Sequence, residues 1–155
     1  MTPKSPFLKA EAHQSPGFLF WQVSVIWQRQ VAAALRPLAI TQTQFVLLAS
    51  LLWLSKKEQN ISQAVLARHS KMDVMTTSQV LRTLEEKSYI QREAHPLDTR
   101  AKILLLTKKG EALAKQAVPL VEAVDEEFFN SLGAGRSKII HLLQDLIQSN
   151  ENGGT

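Results

Sequence analysis

The chain has 155 residues, 45% hydrophobic and 21% charged, with six Gly, six Pro and no Cys. That length supports one domain burying about 70% of its unfolded surface, and the apolar fraction excludes a disordered tail protein; the absence of Cys excludes disulfides, thiolate zinc sites and thiol chemistry. The net charge of +4 resides in residues 61–109, where Arg68, Lys71, Arg82, Lys87, Arg92, Arg100, Lys102, Lys108 and Lys109 outnumber Asp73, Glu85, Glu86, Glu93 and Asp98, while the two signs balance elsewhere.

A basic middle in a neutral body points to a polyanionic partner there. The competing reading is an ordinary solvated face. No apolar run reaches the ~18 residues that a bilayer-spanning helix requires; the longest, residues 45–54, includes Ser50. Residues 1–16 contain no signal-peptide apolar segment. A soluble, cytoplasmic protein without a membrane partner is expected.

In chain order, residues 1–16 show no periodicity and read as an N-terminal arm. Across residues 18–36 apolar side chains recur at helical spacing (Phe20, Val23, Ile26, Trp27, Val31, Leu35), but Leu19, Trp21 and Val25 fall on other faces. A helix apolar all round needs more than one neighbour, a second subunit among the candidates. Pro37 ends it. Thr41 and Gln44 form a capping box for a helix reaching about Leu54, with Ile40 and Phe45 at staple positions. Two short helices follow. Ser62 is placed to cap the first and Asp73 the second, in which Thr77, Val80, Leu81 and Leu84 share one face. The link over residues 70–73 has the length of a helix-turn-helix connection.

After Lys87 the helical period gives way to alternation. Residues 89–94 and 101–106 read as the strands of a hairpin, with turn chemistry at residues 95–99. Thr107 is placed to cap a long helix carrying Leu113, Ala117, Leu120, Val121, Val124 and Phe128 in one stripe, and Pro119 inside it predicts a kink. Gly133 and Gly135 break the chain before a last helix over residues 136–149, and residues 150–155 form a tail.

This order predicts a mainly α protein with a small β-hairpin wing: a winged helix-turn-helix domain flanked by N- and C-terminal dimerisation helices. The runs LEEKSYI (84–90), HPLDTRAK (95–102) and LTKKG (106–110) make the chain resemble the MarR (multiple antibiotic resistance regulator) family. The specific part is Asp98 and Arg100 followed by a strand and then Leu106, Thr107 and Gly110. The resemblance covers residues 17–149 as a single unit. It implies that helices over about 17–36 and 107–149 intertwine with those of a second copy, around a DNA-binding lobe of about 40–106. It also implies a homodimeric transcriptional regulator, a repressor released by a small-molecule effector, acting on double-stranded DNA. A symmetric dimer places two recognition helices ~34 Å apart on a pseudo-palindromic operator. One departure is Ser88, where the family usually carries Gly after the recognition helix. Ser suits a left-handed cap less well than Gly, so a slightly different turn is expected.

The residues fit DNA reading independently of the resemblance. The second short helix turns its apolar face inward and leaves Thr76, Ser78, Gln79, Arg82 and Thr83 for a major groove ~12 Å wide. Gln79 can pair bidentately with adenine, Arg82 with guanine, and the hydroxyls with bases or phosphates. An exposed polar face without a partner is the competing reading. Arg100, on the wing, suits a narrow minor groove. Asp98 is expected to hold Arg100 or a recognition-helix cation by a charge-assisted bond, or simply to form the turn. Arg68, Lys71, Arg92 and Lys102 are general phosphate candidates. The resemblance further implies a cleft for a small aromatic or phenolic effector, for which Trp21, Trp27, Phe45 and Trp53 are candidates; plain core packing competes with that role.

Enzymatic readings find little support. His13, His69, His95 and His141 are scattered without metal-ligand spacing, and neither a phosphate-cradling Gly loop nor a nucleophile elbow is present. No catalysis, cofactor or metal is expected. The alternatives are a winged-helix protein-interaction module without DNA binding, and a metal-responsive regulator using dispersed His and Glu.

Overall fold

The helix starts predicted at Thr41, Ser62 and Thr107 are capped as their spacing predicts, and Ser15 adds one that the sequence pattern does not mark. In the computed structural model, which describes residues 11–151, Ser15 accepts the Phe18 N–H and begins α1 (Pro16–Leu35), with Pro16 supplying the preset φ of a first helical residue. The helix therefore starts just before its apolar pattern, and the expected arm already contains a 3-10 turn, Ala12–Gln14. Residues 1–10 of that arm and 152–155 of the tail lie outside the described residues. A second 3-10 turn, Arg36–Leu38, carries Pro37.

Next comes α2 (Gln42–Ser55), begun by the complete capping box: Thr41 Oγ1 accepts the Gln44 N–H at 3.2 Å, and Gln44 Oε1 accepts the Thr41 N–H at 3.0 Å. Ser62 accepts the Val65 N–H at 3.2 Å and starts α3 (Gln63–Ser70), followed by α4 (Val74–Glu86). Strands β1 (Ile90–Ala94) and β2 (Lys102–Leu106) pair antiparallel, with Ile90 opposite Leu106 and Ala94 opposite Lys102. Thr107 Oγ1 accepts the Gly110 N–H at 3.0 Å and opens α5 (Lys108–Asn130), which continues as one helix through Pro119. A turn leads to α6 (Gly135–Glu151).

Two compact units divide the chain after Val121. The first has a core of Leu35 from α1, Leu47, Leu48 and Leu51 from α2, Leu66 from α3, Leu81 and Leu84 from α4, and Ile90 and Leu104 from the hairpin, all essentially without solvent contact. Burying each such side chain is worth about 1.5–3 kcal/mol, which is what holds three short helices and a two-stranded ribbon together. A long-range link completes the unit. The Leu104 N–H donates to the Ile61 carbonyl at 2.8 Å and Ser62 bridges to Ile103, so the residues just before α3 pair with the inner edge of β2. The wing is thereby fastened to the helix-turn-helix at its root.

In the second unit, Arg136 pairs with Glu126 at 2.6 Å, and α6 has no buried residue. Its Leu142, Leu146 and Ile147 are half exposed, and α1 likewise exposes Phe20 and Trp21. Among the described residues no single helix is long and apolar enough to cross a membrane.

Candidate nucleic-acid interface

The connection between α3 and α4 is made by backbone conformation and one carboxylate. Lys71 takes the left-handed conformation, φ 58°, at the end of α3, and Asp73 caps α4 by accepting the Thr76 N–H at 2.8 Å and the Thr76 hydroxyl at 2.6 Å. These bonds to its ionised form hold the Asp73 carboxyl below its ordinary pKa, the Thr76 side chain contributing most. Thr77 is fully buried and donates its hydroxyl to the Asp73 carbonyl at 2.8 Å. With Leu81 and Leu84 it forms the inward face that the periodicity predicts, while Val80 is only half-buried.

The outward face of α4 carries Met75, Ser78, Gln79 and Arg82, which follow one another at i, i+3, i+4 and i+7 and so form one stripe. Gln79 and Arg82 are exposed and Ser78 half-buried. Thr76 and Thr83 flank the stripe with their hydroxyls already engaged, Thr76 on Asp73 and Thr83 on the Gln79 carbonyl at 3.2 Å. Among the described residues, that leaves Ser78, Gln79 and Arg82 as the polar side chains of the stripe without a hydrogen bond or ion pair of their own.

At the far end of α4 the chain reverses through Ser88, φ 62°, with the Tyr89 N–H returning to the Leu84 carbonyl at 2.9 Å. Ser88 therefore adopts the left-handed cap that a Gly would take more easily.

The wing is ordered by local polar bonds. Arg92 Nε lies 3.1 Å from Glu85 and its Nη1 donates to Gln63 at 3.4 Å, so this cation braces β1 against α4 and α3 instead of standing free for phosphate. At the tip His95 Nδ1 accepts the backbone N–H groups of both Leu97 and Asp98, each at 3.1 Å. Asp98 Oδ1 accepts the Arg100 backbone N–H at 3.0 Å. The aspartate is thus the turn-former, and the expected pairing of its carboxylate with the Arg100 guanidinium is not the one formed. Among the described residues no ion pair engages Arg68, Arg82, Arg100 or Lys102, and all four are exposed. Lys71 is exposed as well.

The four effector-cleft candidates are not alike. Trp21 is 65% exposed, whereas Trp27 and Phe45 are half-buried. Trp53 is half exposed, stacked on His69 with ring centroids 5.1 Å apart, and its ring centroid lies 3.7 Å from the Lys57 ammonium.

Comparison with known proteins places this arrangement. Residues 38–124 match the family model of the ArnR1-like winged-helix domain. The chain is similar to YdcH of Bacillus subtilis, an HTH-type transcriptional regulator, with 38% identity over 86% of this chain and 90% of that one. Its structure resembles the Mycobacterium tuberculosis MarR family protein Rv2887 in complex with salicylic acid, at 32% identity, a TM-score of 0.65, and coverage of 85% and 96% of the two chains. The chain belongs to the MarR family. A mutant MarR from Escherichia coli complexed with operator DNA is similar at 26% identity and a TM-score of 0.73, over 84% of this chain and 91% of that one.

Within this MarR-family chain, one feature of the α4 surface and one of the wing escape sequence reasoning. Val74 and Met75 are 70% and 75% exposed in the first turn of α4. Val74 stands three residues before Thr77, in register with the core stripe, so periodicity assigns it inward. The helix projects past the core there, and only the tertiary structure shows it. The double acceptor role of His95 is likewise invisible in sequence, although a His two residues before a Leu-Asp turn is placed for it.

Proposed function

We infer that this MarR-family chain is a homodimeric, sequence-specific DNA-binding transcriptional regulator, a repressor released by a small-molecule effector, acting in the cytoplasm without catalysis. The observation that carries this reading is the stripe on α4: a capped helix with its apolar face buried and Ser78, Gln79 and Arg82 presented together, in the segment that holds the whole net positive charge. Such a helix has the dimensions and donor set for the major groove. Arg100 and Lys102 on the wing, with Arg68 and Lys71 at the α3–α4 turn, supply phosphate and minor-groove contacts. Rv2887 is named a transcriptional repressor and has been seen with salicylic acid, and MarR with operator DNA; both roles extend to this chain as part of the proposal.

Dimerisation follows from the apolar surfaces left in water. Phe20 and Trp21 on α1, and Leu146 and Ile147 on α6, are each more than half exposed, and covering them with a second copy recovers their burial free energy. Trp27 and Phe45, half-buried, are the aromatic candidates for an effector cleft, and Trp21 becomes one if the second copy covers it. Trp53 already has two partners, so an effector there must displace Lys57 or extend the stack on His69. Selection of bound sequences from a random duplex pool by the full chain tests the reading. A palindromic consensus with half-sites one DNA turn apart is expected, and recovery of no consensus overturns sequence-specific binding.

A further inference from the structure

The first turn of α4 presents to solvent an apolar surface where a DNA-reading helix would be expected to carry donors. Val74 and Met75 are 70% and 75% exposed, and their polar neighbours in the sequence are committed to each other: Thr76 donates its hydroxyl to Asp73, and Asp73 is held by the Thr76 hydroxyl and N–H. Helix propensity does not account for Val74, since an exposed β-branched residue is a poor helix former and gains nothing from packing. Nor is this a scattered surface residue of the ordinary kind. Met75 is continuous with Ser78, Gln79 and Arg82 in the stripe, and Val74 borders it beside Ser78.

The apolar group that a major groove offers is the C5-methyl of thymine, and N-terminal residues of a recognition helix are the ones that reach base edges. We propose that Met75 and Val74 read thymine methyl groups, so that each operator half-site carries thymine about one to two base pairs from the base pair met by Gln79, the span of one α-helical turn. This inference rests on the DNA-binding reading above and adds to it a specificity determinant and the base it selects. The thioether of Met75 adapts to the groove without a fixed shape, while Val74, stiff at χ1, fixes the position of one methyl contact. The remainder of the stripe then reads adenine through Gln79 and guanine through Arg82.

The test uses the duplex that the full-length protein itself selects from a random pool. Each thymine is replaced in turn by deoxyuridine, which removes only the methyl group and leaves pairing intact. Wild-type protein should lose about three- to tenfold in affinity at one or two symmetric positions per half-site. The Val74→Ser, Met75→Gln double variant, whose folding is checked by circular dichroism, should bind more weakly and lose no further affinity at those same positions. Uniform indifference of the wild type to deoxyuridine overturns the proposal, as does an equal deoxyuridine penalty in both proteins. Failure to select any consensus overturns sequence-specific binding itself, and that result is distinct from a consensus insensitive to thymine methyls.

Discussion

Thr107 Oγ1 donates to the Ser88 carbonyl at 2.7 Å, joining the end of the recognition helix α4 to the start of the long helix α5. The same oxygen accepts the Gly110 N–H at 3.0 Å, so one side chain caps α5 and anchors the turn after α4. Lys109 Nζ adds a bond to the Lys87 carbonyl at 3.1 Å. The two backbones approach so closely that a Cβ added at Gly110 would overlap the Tyr89 carbonyl. The Leu-Thr-x-x-Gly element of the sequence is therefore a joint: Thr bonds the turn and Gly makes room for it. The start of α5 and the end of α4 are thus tied to each other by the hydrogen bonds from Thr107 and Lys109.

The joint predicts the cost of filling position 110. In Gly110→Ala the new methyl meets backbone, which no rotamer change can relieve, so the variant should lose roughly 1–3 kcal/mol of stability by urea denaturation. DNA affinity should fall with it because the recognition helix shifts. A variant with the wild-type denaturation midpoint and affinity would show that the two elements separate without penalty.

Position 88 offers the opposite change. Ser88 holds φ at 62°, a region that costs an L-residue roughly 1–2 kcal/mol and Gly almost nothing. Gly gives back about 0.5–1 kcal/mol in unfolded-chain entropy. Ser88→Gly should therefore raise stability by up to about 1 kcal/mol without altering DNA binding. A destabilised Gly variant would mean that the Ser88 side chain supports the turn in a way its backbone does not reveal.

Base reading is tested at Gln79 and Arg82. Each Ala substitution should weaken binding to the selected duplex by about 1–3 kcal/mol and leave binding to random duplex nearly unchanged. Equal losses on both duplexes would reduce these residues to phosphate contacts.

How much of this was legible in sequence depended on the range of the interaction. Caps at Thr41, Ser62, Asp73 and Thr107 bind backbone three residues away, so spacing alone located them. The inward face of α4 was legible because burial of Thr77, Leu81 and Leu84 follows helical periodicity. Val74 was not, since periodicity says which side of a helix faces the core and not where the core ends. Arg92 read as a phosphate contact because its partners Glu85 and Gln63 sit on other elements. The pairing of Ile61 and Ser62 with β2 joins residues some forty positions apart and leaves no local trace.

The wing contact has its own signature in salt dependence. Arg100 is exposed and outside every ion pair among the described residues, on a tip ordered by His95 and Asp98. Arg100→Ala should lower affinity for specific and random duplexes alike. It should also reduce the slope of log affinity against log salt by about 1 for each phosphate that Arg100 neutralises. An unchanged slope would remove the wing from the interface.

The last prediction concerns acid stability and the start of α4. Asp73 accepts the Thr76 hydroxyl and N–H more strongly when ionised, so these bonds lower its pKa on folding. A carboxyl with a depressed native pKa stabilises the fold fully above its unfolded value and loses that contribution as pH falls through the native one. The window for Asp73 therefore opens below about pH 4, and the cap is at full strength near neutrality. Asp73→Ala should lower the urea midpoint at pH 7, and the gap from wild type should close as pH drops below about 4. Asp73→Asn keeps a neutral acceptor of comparable capping strength, so it should recover most of the midpoint at pH 7, and its difference from Asp73→Ala should not change with pH. DNA affinity provides an independent reading. Removing a negative charge near phosphate favours binding, whereas fraying the turn that carries Val74 and Met75 opposes it, so Asn should bind at least as tightly as wild type and Ala more weakly. A gap between wild type and Ala that stays constant from pH 7 to about pH 3 would show that the ionised carboxylate is not what holds this helix start.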